Sequence, residues 1–328
     1  MGGNIYSTRR INRETYFNAI DKIVKGIYTV NKSIKWENPL EKDLLIKVVP
    51  SCTDKADYGD IDFITNYSVD EFKKIVTYYF NDQYSINNNC ISVPWLLDNN
   101  EFIQVDFICS HDNFDDAFNY RSYAPLGHIC GAIFAENEFV FGEGGLFKKV
   151  ISTSTSKSVK ICNVEEGFTI LGISIKELEE EYNNNVTEEN LFSYLIKCKY
   201  LRWERFKKRD DKEMTSMSRF ADFLDNQKTT PYRGAIEIVK IIKIHGDEWL
   251  KTLHLFTKKE SLLKDFRRHV NGNSVSTATS IPVGPELGEL MKKIKNVVEP
   301  LIEKAAENDL DPIVMLTLAL IEEKKQNE

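Results

Sequence analysis

Two aspartates one residue apart, Asp60 and Asp62, lie in the otherwise apolar run ADYGDIDFI, residues 56–64. Side chains of a strand alternate between faces, so positions i and i+2 point the same way and these two carboxylates share one side. A half-buried pair of like charges must take up a proton or be neutralised by a cation. The triplet alone says little, because with 50 acidic residues in 328 chance produces roughly seven or eight acidic-x-acidic triplets, most of them on solvated faces. Context separates this one: Gly59 precedes it, Ile61 and Phe63 alternate with it, and Asp106 occupies a matching position in the equally apolar run EFIQVDFIC, residues 101–109. Three carboxylates on two neighbouring strands would form an all-oxygen donor set, which suits Mg²⁺ or Mn²⁺.

The elements that must position these acids can be read from periodicity. Tyr16, Ile20, Ile23, Val24 and Ile27 recur at helical spacing and predict an amphipathic helix over 12–31. LLIKVVPS (44–51) is a β-rich run, and DIDFITNY (60–67) reads as the next strand. VDEFKKIVTYYF (69–80) returns to helical period, with Ser68 as its N-cap. After an Asn-rich loop, CISVPWLLD and EFIQVDFIC flank Asn99 and Asn100 as the two strands of a hairpin. LGHICGAIFAENEFVFGEGGLFKKVI (126–151) combines a helical run with a turn at Gly142, Gly144 and Gly145. Those glycines form no phosphate loop, since no Gly-Lys-Ser/Thr follows.

The polar stretch STSTSKS (152–158) predicts a boundary between a mixed α+β domain, residues 1–158, and a mainly helical domain, residues 159–328. In the second, helices are expected near 174–185, 187–208, 216–226, 233–243, 247–270 and 286–307, with a last one starting at Asp311-Pro312.

Bulk composition narrows the field. The 42 % hydrophobic content suits packed cores, and the net charge of −7 offers a polyanion no general attraction, so any nucleic-acid contact must be local. Six cysteines without CxxC pairs predict free thiols in a reducing, cytoplasmic setting. MGGNIY lacks the Ser or Thr of a myristoylation signal, having Tyr6 instead. The longest apolar helix candidate, 312–321, would rise about 15 Å against a hydrocarbon core of about 30 Å, so no membrane is expected.

VPSCTDKADYGDIDFI followed by IQVDFI resembles the nucleotidyltransferase superfamily typified by DNA polymerase beta. The opening MGGN, Arg10–Asn12, and LGHICGAIF with FVFGEGGLF are similar to nucleotidyltransferases encoded by phages and large DNA viruses, over most of the first 170 residues. The resemblance implies a palm-like catalytic domain in which Asp60, Asp62 and Asp106 hold two Mg²⁺ ions, Mn²⁺ being an alternative, and Asp106 helps deprotonate the attacking hydroxyl. It makes Ser51, with Gly59, a nucleotide-binding residue for an NTP substrate, and a host cytoplasm the setting if the protein is viral; Lys55 is a nucleotide-binding candidate on its charge, which can replace a backbone grip on the phosphates. One departure is Pro50, where the family usually has glycine: proline donates no N–H to a phosphate. Ser51 is also accounted for as a residue of the turn that ends a strand.

In KCKYLRWERFKKR (197–209), cations interleave with Tyr200, Trp203 and Phe206. Such a stretch suits a phosphate backbone with stacked bases, making Arg202, Arg205, Lys207 and Lys208 candidate acceptor-binding residues for an RNA. It equally suits an amphipathic helix whose aromatics pack inward under solvated charges. IPVGPELG (281–288) resembles a helix start of tRNA nucleotidyltransferases, and is also an ordinary helix start at Gly284-Pro285. The expectation is a template-independent nucleotidyltransferase acting on an RNA 3′ end. Transfer to a protein hydroxyl or a small molecule is an alternative, as is a non-catalytic RNA- or nucleotide-binding module.

Overall fold

The computed structural model describes residues 6, 8–37, 43–80, 82–151, 156–202, 206, 215–227, 235–245 and 247–307. The long helix expected near the start is α1, Arg13–Glu37, opened by the Asn12 side chain, which accepts from the Thr15 N–H at 2.9 Å. Its stripe Tyr16, Ile20, Ile23, Ile27, Val30 and Ile34 is buried, as a period of 3.6 requires. α2, Val69–Phe80, begins where its sequence signal places it. Ser68 and Glu71 form a capping box, with Ser68 N–H on Glu71 Oε2 at 2.6 Å and Glu71 N–H on Ser68 Oγ at 3.3 Å.

Five strands, β1 (Ile46–Val48), β2 (Asp60–Thr65), β3 (Ser85–Asn87), β4 (Cys90–Leu96) and β5 (Phe102–Cys109), form a mixed sheet in the order β1-β2-β5-β4-β3. The predicted hairpin is β4 and β5, paired antiparallel. β3 lies inside the Asn-rich stretch that reads as loop: three residues are too short for an alternation signal, and the asparagines make its turn into β4, where Asn88 adopts a φ of 53°. β2 and β5 run parallel, an arrangement that needs a crossover connection, here supplied by α2 and the β3–β4 hairpin.

One face of this sheet carries Ile61, Phe63, Ile103, Val105 and Phe107 into a core shared with α1 and α2. On the other face, Ile64 and Ile108 are covered by Phe114 and Ala117 of α3, Phe114–Arg121. That helix covers only the end of the face where the apolar residues lie. Asp60, Asp62 and Asp106 alternate with the core residues and so belong to the remainder of the α3 side.

α4 (Pro125–Ala135) packs on β6 (Phe139–Gly142), which with β7 (Gly145–Ile151) and β8 (Ser156–Cys162) makes a three-stranded sheet in the order β6-β7-β8. The glycine-rich segment is the tight turn between β6 and β7, where Gly142 pairs with Gly145. Gly145 has a φ of +111°, and a Cβ there would lie 2.3 Å from the carbonyl oxygen of Cys162, so the position requires glycine.

Beyond these the chain is helical: α5 (Val164–Ile170), α6 (Ile175–Glu181), α7 (Glu188–Leu195), α8 (Ser216–Asp225), α9 (Ala235–His245), α10 (Asp247–His269), α11 (Gly272–Thr279) and α12 (Pro285–Glu307). The helix expected over 187–208 stops at Leu195. Residues 196–202 turn instead, burying Cys198, Tyr200 and Leu201 in a way no single helical stripe allows. The Asp311-Pro312 helix start lies outside the described residues.

The chain divides into two compact units, Met1–Lys148 with Lys160–His245, and Lys149–Val159 with Gly246–Glu328. The first continues through α9, whereas composition placed the division near residue 158. The reason is packing: α5 lies against α3 and α9, and α8 against α4. In the second unit Leu263, Val298 and Ile302 centre a small core between α10 and α12. All six cysteines are free thiols. Among the described residues, no helix is long and apolar enough to cross a membrane.

Candidate metal centre

The parallel register of β2 and β5 sets Asp62 directly across from Asp106 and Asp60 across from Gln104. Adjacent strands lie under 5 Å apart, so the three acids converge: each offers an oxygen, and these oxygens all lie within 4.8 Å of one another. Among the described residues no other group of three or more His, Cys, Asp or Glu side chains meets so closely. The donors are hard carboxylate oxygens with no thiol or imidazole, a set that fits Mg²⁺ or Mn²⁺ rather than zinc. Gln104 fixes the third acid, its side-chain NH₂ donating to both Asp106 oxygens at 2.9 and 3.0 Å.

The electrostatics of the cluster follow from burial and crowding. Burial pushes the Asp60 carboxyl up, and the Asp106 charge adds to it. For Asp62, burial followed by the charges of Asp60 and Asp106 raises the pKa to about 7, while Arg121 and Lys55 oppose the rise. A cation placed here would therefore compete with a proton at Asp62 near neutral pH.

Asp60 and Asp62 line a cleft of about 550 Å³, within the usual size range of small-molecule sites. Ser51, Lys55 and Gly59 line the same cleft, so the sequence-predicted nucleotide residues and two of the acids come together. Ser51 is half-buried and lies on the cleft wall beside Tyr16 and Tyr58, whose rings stack at 3.9 Å between centroids. Lys55 is exposed, its ammonium 5.9 Å from the Tyr58 ring centre. Pro50 directs its carbonyl to the Tyr123 N–H at 2.8 Å and so ties the Ser51 turn to the junction between α3 and α4.

The sequence reading missed several residues of the cleft wall. Arg10 pairs with Asp57 at 2.7 Å, Arg121 with Glu143 at 2.5 Å, and Arg219 with Glu188 through two contacts of 2.7 Å. Tyr120 and His128 stand edge to face at 6.0 Å. Arg10 and His128 lie in runs already quoted for the resemblance, but no spacing marked either of them, or Tyr120, Arg121 and Arg219, as part of the cleft. Gln104 was findable, since it lies two residues before Asp106 and must share its face.

Of the four candidate acceptor-binding residues, Arg205, Lys207 and Lys208 lie outside the described residues. Arg202 is in the non-helical chain after α7, 3.9 Å from Glu136, and is not part of the cleft wall. Tyr200 and Phe206 are buried, which matches the inward-packing account of the aromatics. Gly284 and Pro285 begin α12 as an ordinary helix start, the Gly288 N–H donating to the Gly284 carbonyl at 3.0 Å.

Compared with known proteins, the chain matches no family model and no curated protein.

Proposed function

We propose that this protein is a template-independent nucleotidyltransferase that moves a nucleoside monophosphate from an NTP to an acceptor hydroxyl. The carrying observation is the β2–β5 register, which draws three carboxylates of two strands together beside a cleft with Ser51 and Lys55 on its wall. When bound, divalent cations would offset the charge of the triphosphate and stabilise the attacking and leaving oxygens of an in-line displacement. Asp60 and Asp62 would hold them together with Asp106. Asp106, oriented by Gln104, accepts the proton of the acceptor hydroxyl as the new O–Pα bond forms and the bond from Pα to the bridging oxygen breaks, releasing pyrophosphate. Ser51 and Lys55 orient the phosphates. The acceptor favoured by the basic, aromatic run 197–209 is an RNA 3′ end.

Incubating the protein with Mg²⁺ and each of four α-labelled NTPs, with RNA, protein and small-molecule acceptors side by side, tests this reading. Label should move to RNA and be lost with Asp106→Asn. Label on protein or on a small molecule would keep the chemistry and change the acceptor, and nucleotide binding without turnover would make the protein a binding module.

A further inference from the structure

Pro50, next to Ser51 on the cleft wall, has no N–H to offer a phosphate. Its carbonyl instead accepts the Tyr123 N–H at 2.8 Å, which fixes the chain two residues beyond Arg121 against the turn that carries Ser51. Arg121, the last residue of α3, lines the cleft together with Pro50, Ser51 and Asp62. It is the foremost positive charge acting on Asp62. One guanidinium nitrogen, Nη2, is 2.5 Å from Glu143 Oε1, while the buried Nε has no hydrogen-bond partner. A buried N–H without an acceptor is costly, and native structures keep few of them. Glu143 also lines the cleft, at the tip of the tight β6–β7 turn, where the Asn113 side chain holds its carbonyl oxygen at 3.1 Å.

We propose that Arg121 is the phosphate-binding cation of this cleft, exchanging Glu143 for the β- and γ-phosphates of the nucleotide and so supplying the donors that Pro50 withholds. The inference rests on the nucleotidyl-transfer reading above and adds a residue and a latch to it. A guanidinium presents a planar fork of donors that matches phosphate oxygens. The Glu143 carboxylate satisfies part of that fork in the free protein and competes with the incoming anion. Glu143 therefore weakens phosphate binding while keeping Arg121 in place in the cleft beside Asp62.

Calorimetric titration of the full chain with inorganic tripolyphosphate in Mg²⁺, and separately with AMP and ATP, tests the exchange. Arg121→Gln should weaken tripolyphosphate and ATP by at least about ten-fold and leave AMP, which lacks the β- and γ-phosphates, within about two-fold. Glu143→Gln should tighten tripolyphosphate several-fold, an effect that general damage to the fold does not produce. If Arg121→Gln proves insoluble, the Glu143→Gln titration decides alone. Unchanged tripolyphosphate binding in Arg121→Gln, no tightening in Glu143→Gln, or equal losses for all three ligands would overturn the inference while leaving nucleotidyl transfer standing. A wild-type protein that binds neither tripolyphosphate nor ATP would overturn both.

Discussion

Asp62 carries the clearest tension between stability and chemistry. Its folded-state pKa is about 7 against an ordinary 3.8, so between those values the folded chain holds more protons than the unfolded one. Stability without metal must then fall as pH rises from about 4 to about 7 and level off above. Asp62→Asn removes the charge and should stabilise the metal-free protein by about 1 kcal/mol at pH 8, with little gain at pH 4. Denaturant unfolding in EDTA at the two pH values measures this, and an equal gain at both would mean that the charge is not the cause. The same substitution, like Asp60→Asn and Asp106→Asn, should lower nucleotide transfer at least about a hundred-fold, read by gel under saturating NTP. Gln104→Leu offers a finer probe: it leaves every ligand carboxylate present but frees Asp106, so transfer should fall about ten-fold with metal binding retained.

At the scale of elements, periodic features were legible and cross-chain ones were not. β2, β5 and α2 announced themselves because alternation and helical period are local signals, and Asp60, Asp62 and Asp106 were found through them. Arg121 and Glu143 left no such trace, since an ion pair between the end of α3 and a β-turn has no spacing to read. The loop from Ser51 to Gly59 shows the same limit. Thr53 N–H donates to the Val186 carbonyl at 2.8 Å, and its hydroxyl to Asn185 Oδ1 at 2.8 Å. The Asp54 carboxylate accepts the Glu188 N–H, at 3.1 and 3.2 Å, at the start of α7. An acid facing a helix N-terminus is favourable, and this contact ties the Lys55 loop to the helical part of the first unit. Asp54→Ala should cost about 1 kcal/mol of stability and raise KM for NTP several-fold with kcat nearly unchanged. A drop in kcat alone would mean that the clamp serves a step after nucleotide binding.

The whole molecule carries a net charge of −7 and gathers three acids beside one cleft, so a triphosphate is repelled at long range until cations intervene. Metal binding should therefore show in global stability as well as in rate. A cation that binds only the folded state at about a hundred times its Kd adds about 2.7 kcal/mol, a rise of several degrees in Tm for a chain of this size. Mg²⁺ or Mn²⁺ added to EDTA-treated protein at pH 8 should give that rise. At pH 5.5 the shift should shrink, because Asp62 is then mostly protonated and its proton must leave before a cation binds. Screening alone also helps an acidic protein, so scanning calorimetry needs NaCl at matched ionic strength and Asp106→Asn beside the wild type. Shifts equal at both pH values, reproduced by NaCl, or undiminished in the variant would place the cation on the general acidic surface rather than between β2 and β5.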